Sequence, residues 1–252
     1  MTESQPLPIV LLHGVGLDRT MWEPAETALG QLTDRTVVSL DLPGHGSEPA
    51  LTAPVSLEDL AEDVAGRLPG RSHIVGFSLG ALIAQHLAVH RPDLVASLAS
   101  VSSVCRRTPE ESMQVRRRLD AARSDFRGSV EASITRWYPE GQGVDRHRIE
   151  QTRATLLANP VESYLHAYEV FATADTEIGT ELHRIRVPSL AVTGEFDPGS
   201  TPEMTRRLEA AIPGTRAVVV PGARHMLPVE QPDELARIIH HFITEPNRED
   251  HG

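Results

Sequence analysis

The stretch Ser72-His73-Ile74-Val75-Gly76-Phe77-Ser78-Leu79-Gly80 decides the reading of this chain. Residues 72–77 form a largely apolar, β-favouring run, and Leu79 to His90 continue with a helical composition. Ser78 therefore stands at a sharp strand-to-helix turn, and Gly-x-Ser-x-Gly in that setting is a nucleophile elbow. Such a turn holds its serine in a strained backbone conformation that lifts the hydroxyl above the sheet. The residues two places away pass close to it, so a Cβ there would clash, and Gly76 and Gly80 remove the clash. The helix beginning after Ser78 also aims N–H groups and a partial positive charge at an oxyanion forming on a substrate carbonyl.

Outward from this turn, short strand-like runs alternate with helical patterns. Pro8 to Leu12, Thr36 to Leu40, Leu94 to Val101, Val187 to Thr193 and Arg216 to Val220 read as strands buried on both faces. Helices are expected at about 20–30, 56–68, 79–90, 202–211 and 232–243. The alternation predicts an α/β fold, a mainly parallel sheet with helices on both faces. Residues 109–180 break the pattern: no strand is evident there, and the composition is polar and helical. Phe126, Trp137, Tyr138, Tyr164, Tyr168 and Phe171 lie in it, and Pro139 and Pro160 punctuate it. It is expected to be a helical lid inserted in a core formed by 1–108 and 181–252, with an ordinary set of surface helices as the alternative. The polar tail from Glu245 to Gly252 is expected to fray.

A chain of 252 residues, 40% of them hydrophobic, can bury the core of one large domain. A formal net charge of −11 repels phosphate backbones and anionic bilayers, so neither nucleic acid nor a membrane is an expected partner. The single cysteine, Cys105, allows no intrachain disulfide and fits a reducing compartment. Residues 1–8 show no signal peptide, and apolar runs such as Ile9 to Leu12 are too short to cross a bilayer, so a cytoplasmic location is expected. No HExxH motif, Cys/His cluster or Gly-rich phosphate loop is present, and neither metal nor cofactor is expected. The sequence carries no signal for an oligomeric state.

A serine hydroxyl needs an adjacent base, and the base needs a carboxylate to fix its tautomer. After a nucleophile elbow the acid comes next in the chain and the histidine last. Thr193-Gly194-Glu195-Phe196-Asp197 follows one strand and Pro221-Gly222-Ala223-Arg224-His225 follows the next, both at carboxyl ends where open α/β sheets bind ligands. Of twelve histidines, His225 is singled out by that position. His73 begins a strand, and His86, His90, His240 and His241 fall on helices. Glu195 and Asp197 compete for the acid, and Asp197 is preferred because it lies further into the loop. The loop His13-Gly14-Val15-Gly16 follows the first strand. The backbone N–H groups of Val15 and Leu79 are expected to form an oxyanion hole, with His13 a structural hydrogen-bonding group.

Together these residues resemble the α/β-hydrolase superfamily over nearly the whole chain. Asp41-Leu42-Pro43-Gly44-His45-Gly46-Ser47 is similar to the Gly-rich loop after the family's second core strand, and Pro221 to Pro232 to its histidine loop and last helix. Within the superfamily the chain looks most like the 3-oxoadipate enol-lactonases and related esterases, through His13 to Trp22 and Arg136-Trp137-Tyr138-Pro139. Members usually have a two-stranded hairpin ahead of the first strand quoted above. A start near Pro8 implies a sheet of about six strands, as in the methylesterase and hydroxynitrile lyase branch. Where some relatives carry the acid after an earlier strand, this chain reads Ser102-Ser103-Val104-Cys105, without a carboxylate.

The expected function is hydrolysis of a small carboxylic ester or lactone through an acyl-enzyme on Ser78, with His225 as base and Asp197 orienting it. The resemblance implies a substrate from aromatic-compound breakdown, such as an enol-lactone. Trp22, Trp137, Tyr138 and Met226 are expected pocket walls, and Arg19, Arg106 and Arg136 are candidate cations for a substrate carboxylate. Carbon–carbon bond hydrolysis or a lyase reaction with the same three residues is the alternative, and a non-catalytic ligand receptor a third.

Overall fold

The computed structural model describes residues 6–140 and 143–244; the tail expected to fray lies outside them. Strands β1 (Ile9–Leu12), β2 (Val37–Leu40), β3 (Ser72–Phe77), β4 (Val95–Val101), β5 (Ser189–Gly194) and β6 (Arg216–Val220) lie within two residues of the runs read from the sequence. They form one sheet in the order β2-β1-β3-β4-β5-β6, every neighbouring pair parallel. β1 and β5 are buried throughout, but β2 and β6 are only half-buried. The expectation that all six lie buried on both faces is corrected there: an edge strand has a neighbour on one side only.

The helices of the core are α1 (Glu23–Leu32), α2 (Leu57–Arg67), α3 (Leu79–His90), α8 (Pro202–Ala211), the short α9 (Leu227–Glu230) and α10 (Pro232–Thr244). The chain steps from β1 outward to β2, then returns past β1 to β3 and continues to β6. Right-handed crossovers put α1 on one face and α2, α3 and α8 on the other. α10 packs against α1 and so covers the first face. The helix expected near residue 20 begins instead with a 3₁₀ turn, Arg19–Trp22, capped by Asp18, and α1 follows with Pro24 in its first turn. α2 starts on a capping box in which Ser56 and Asp59 satisfy each other's backbone N–H groups.

Between β4 and β5 the chain runs through α4 (Pro109–Ser124), α5 (Phe126–Trp137), α6 (Arg146–Ala158) and α7 (Val161–Glu181), with no strand among the described residues. Thr108-Pro109-Glu110-Glu111 starts α4 with a second capping box. A buried ion pair ties this segment down. Arg107 Nη1 donates to Asp175 Oδ1 of α7 at 2.6 Å, and the Arg107 backbone N–H donates to Oδ2 at 2.8 Å. Both side chains are at most 3% exposed, so either one without its partner would be a buried charge left uncompensated. The Asp175 carboxylate is thus occupied by Arg107 through both of its oxygens. No helix of the described residues is long and apolar enough to cross a membrane.

Candidate active site

The strand order reverses between β1 and β3, and open α/β sheets bind ligands beside the carboxyl ends of their strands at such a switch point. The loop after β1 and the turn after β3 therefore lie side by side. Ser78 sits in that turn at φ 54° and ψ −112°, one of the described non-glycine residues with positive φ. Its N–H donates to Val101 O of β4 at 3.0 Å, and the Gly80 N–H donates to His13 O at 3.0 Å, locking elbow and loop together. The two glycines are required by contact: a Cβ on Gly76 would stand 2.2 Å from Gly80 O, and one on Gly80 2.5 Å from Leu12 O and His13 O. These are backbone atoms that cannot swing aside. Gly80→Ala should cost about 3 kcal/mol or more, lowering the thermal midpoint by about 10 °C. Calorimetry showing an unchanged midpoint would contradict so tight an approach.

His225 follows β6 and is 5% exposed. Its Nδ1 lies 2.8 Å from Asp197 Oδ2, in the loop after β5. Asp197 Oδ1 accepts the N–H groups of Gly199 and Ser200, each at 2.8 Å, which leaves Oδ2 to accept the ring N–H. That bond places the proton on Nδ1 and leaves Nε2 as a free acceptor. The ring is held between Phe77, at 5.0 Å between centroids, and Trp137, stacked at 5.5 Å. Ser102, after β4, donates its hydroxyl to His225 O at 3.1 Å. Glu195, the rival acid, instead accepts the Gly222 N–H at the surface. Glu230, at the end of α9, accepts the Arg224 N–H at 2.8 Å and so braces the residue before His225. Ser102 was not marked by the sequence as a partner of His225, because only the fold brings the loop after β4 to it, and Glu230 was given no role although it lies five residues on.

The Val15 and Leu79 N–H groups donate to no backbone oxygen among the described residues, and Val15 lines the same cavity as Ser78. His13 behind them is fully buried. It accepts the Leu42 N–H on Nε2 at 2.9 Å, so its Nδ1–H donates to Gly14 O at 2.8 Å. Burial, with His45 alongside, lowers its pKa from 6.5 to about 3. The unfolded chain takes up this proton below about 6.5, whereas the folded protein does so only near 3. The contribution to stability is therefore complete above the higher value and is lost as pH falls between the two. The thermal midpoint should be lower at about pH 5 than at about pH 7.5; a level midpoint would mean that His13 is not held neutral.

One cavity is lined by Ser78, His225, Val15, Trp137, Arg118 and Arg136, with Tyr164, Tyr168 and Phe171 of α7 completing its aromatic wall. Of the four expected wall residues, Trp137 lines it and three lie in the packing behind. Trp22 is fully buried with its ring edge-on to Phe77, Tyr138 gives its hydroxyl to Thr152, and Met226 is fully buried. Of the candidate cations, Arg136 lines the cavity. Arg19 is directed at Asp41, and Arg106 Nε donates to Gly179 O. Arg118 was missed, although a signal existed. It shares the inward face of α4 with Val115, Leu119 and Ala122, whereas Arg116 and Arg117 are exposed. A second, wider cleft lies beside Asp18, Asp41 and Asn159, but neither Ser78 nor His225 lines it. Among the described residues no group of three or more His, Cys, Asp or Glu is arranged to hold a metal ion.

A sequence profile described as the Alpha/beta hydrolase family matches residues 9–238. The chain is 31% identical over 232 residues to the (E)-2-((N-methylformamido)methylene)succinate hydrolase of Acinetobacter baylyi, covering 90% of this chain and 87% of that one. It is 32% identical to the pimeloyl-[acyl-carrier protein] methyl ester esterase of Aeromonas hydrophila, covering 93% and 94% respectively. The crystal structure of the enol-lactonase from Burkholderia xenovorans LB400 superposes with a TM-score of 0.85 at 27% identity, over 97% of this chain and 94% of that one.

Proposed function

Because this chain belongs to the alpha/beta hydrolase family, whose members similar to it are hydrolases, we propose that it hydrolyses a small carboxylic ester or lactone through an acyl-enzyme on Ser78. The observation that carries this reading is the elbow serine facing a cavity shared with His225, whose Nδ1 is bonded to a fully buried Asp197 carboxylate.

In the proposed cycle Ser78 Oγ bonds to the substrate carbonyl carbon while His225 Nε2 takes the hydroxyl proton. The carbonyl oxygen becomes an oxyanion held by the Val15 and Leu79 N–H groups. Collapse breaks the carbon–oxygen bond of the ester, and His225 passes the proton to the departing alkoxide. Water then attacks the acyl carbon, His225 takes its proton, and Ser78 leaves with that proton restored. The net change is ester plus water to acid plus alcohol; a lactone opens to one hydroxy acid.

Helices α4 to α7 are proposed as a lid, with Trp137 pressing on the imidazole and excluding water from it. An enol-lactone of aromatic-compound breakdown is the finer substrate reading, supported by the likeness to the solved enol-lactonase. Action in the cytoplasm is supported by a lone, buried Cys105. Mixing the protein with p-nitrophenyl acetate tests the central claim. A burst of p-nitrophenol, with an acetyl group recovered on the peptide carrying Ser78, is the expected result. No turnover and no adduct would overturn ester hydrolysis and turn attention to carbon–carbon cleavage.

A further inference from the structure

Ser200 lines the same cavity as Ser78 and His225 and is itself fully buried, yet its Oγ has no hydrogen-bond partner among the described residues. Its backbone, by contrast, is fastened on both sides. The Ser200 N–H donates to Asp197 Oδ1 at 2.8 Å, and the Ser200 carbonyl accepts the Thr193 hydroxyl at 2.7 Å. Nearby hydroxyls are already engaged: Ser102 donates to His225 O, and Ser133 donates to Ser129 O while accepting from Arg136 Nη2. A buried hydroxyl without a partner is costly, and one in a cavity wall finds its partner in what fills the cavity.

The placement of Ser200 ties it to the base. Oδ1 of Asp197 accepts from Ser200 and Oδ2 from His225 Nδ1, so the serine and the imidazole hang from the two oxygens of one carboxylate. Phe77 and Trp137, which hold the imidazole between them, carry no side-chain hydrogen-bond acceptor, and Val15 and Phe171 add only apolar wall. The hydroxyls of Tyr164 and Tyr168 belong to α7 rather than to the loop that carries the acid. A volume of about 40 Å³ leaves the cavity room for water.

We infer that Ser200 Oγ holds the water that resolves the acyl-enzyme. That water has two hydrogens to place. One points to His225 Nε2 and Ser200 Oγ accepts the other, which leaves an oxygen lone pair directed at the acyl carbon. The water oxygen bonds to that carbon as His225 Nε2 takes the first proton. The bond from the carbon to Ser78 Oγ then breaks, the proton passes from His225 to Ser78, and the second hydrogen stays on the hydroxyl of the product acid. Ser200 gains and loses nothing. Acylation of Ser78 consumes no water, so Ser200 serves only the second half of the cycle. The inference rests on the hydrolase reading of Ser78.

The rates at which Ser78 gains and loses an acetyl group from p-nitrophenyl acetate, followed separately by mass spectrometry, test it. Ser200→Ala is expected to lose the acetyl group about 10-fold more slowly than the wild type, while acetylation changes less than about two-fold. Ser200→Thr, which keeps the hydroxyl, should restore most of the deacetylation rate. Added methanol separates the holding of water from a general disturbance of the loop. Its one hydroxyl hydrogen goes to His225, so methanolysis has no use for Ser200. The ratio of methyl acetate to acetate should therefore rise by about 10-fold in Ser200→Ala. Equal deacetylation rates in the two proteins, an equal slowing of acetylation, or an unchanged product ratio would overturn the inference and leave Ser78 as the nucleophile. A wild type that forms no acetyl adduct on Ser78 would sink the hydrolase reading, and this inference with it.

Discussion

Ser78→Ala is expected to lower kcat/KM for p-nitrophenyl esters by about 10⁵- to 10⁶-fold, the scale on which removal of a serine nucleophile acts when base and oxyanion donors remain. The loss has a structural reason. Ser78 is held at φ 54° by the contact of Gly76 with Gly80 and by the bonds of its own N–H to Val101 and of the Gly80 N–H to His13. Those constraints act on the backbone, so alanine occupies the same turn without the hydroxyl. Folding should be untouched, with a thermal midpoint within a few degrees of wild type. A variant keeping more than about a hundredth of the activity would place the nucleophile elsewhere.

Asp197→Asn is expected to cost about 10⁴-fold, mainly in kcat, because it reverses the tautomer of His225. Oδ1 of Asp197 accepts two N–H groups, from Gly199 and Ser200, and Oδ2 faces Nδ1 of the ring. An asparagine fits this loop only with its oxygen toward the two N–H groups, which turns its NH₂ toward Nδ1. The imidazole must then accept there and carry its proton on Nε2, and it can no longer take one from Ser78. Glu195→Gln is the matched control: Glu195 meets only the Gly222 N–H at the surface, and activity should change less than about two-fold. Equal losses in the two variants would remove the assignment of the acid to Asp197.

Much of this was legible in the order of residues, where local physics leaves few choices. Gly76 and Gly80 around Ser78 can be read from the chain because the clash they avoid arises within one strand-turn-helix unit. The six strands could be placed because each holds a short, mainly apolar run between helical or turn segments. Their alternation with helices fixes parallel pairing, and with it the carboxyl edge where Asp197 and His225 stand. The weaker readings were those that depended on which way a side chain faces. Trp22 and Tyr138 are as aromatic as Trp137, yet they pack behind the cavity that Trp137 lines. The half-buried character of β2 and β6 follows from strand order, which no strand carries within itself.

The sequence by itself therefore determined the fold class, the elbow and the order of Ser78, Asp197 and His225 at successive strand ends, since each rests on contacts between residues close in the chain or on a repeating pattern. Only the tertiary structure set the Asp197 carboxylate, and not that of Glu195, against His225, brought Ser102 to the histidine loop, and turned Arg118 and Arg136 into the cavity that Ser78 lines. Those relations join separate elements, and their geometry is set by which strands are neighbours in the sheet and, for the two arginines, by how α4 and α5 pack.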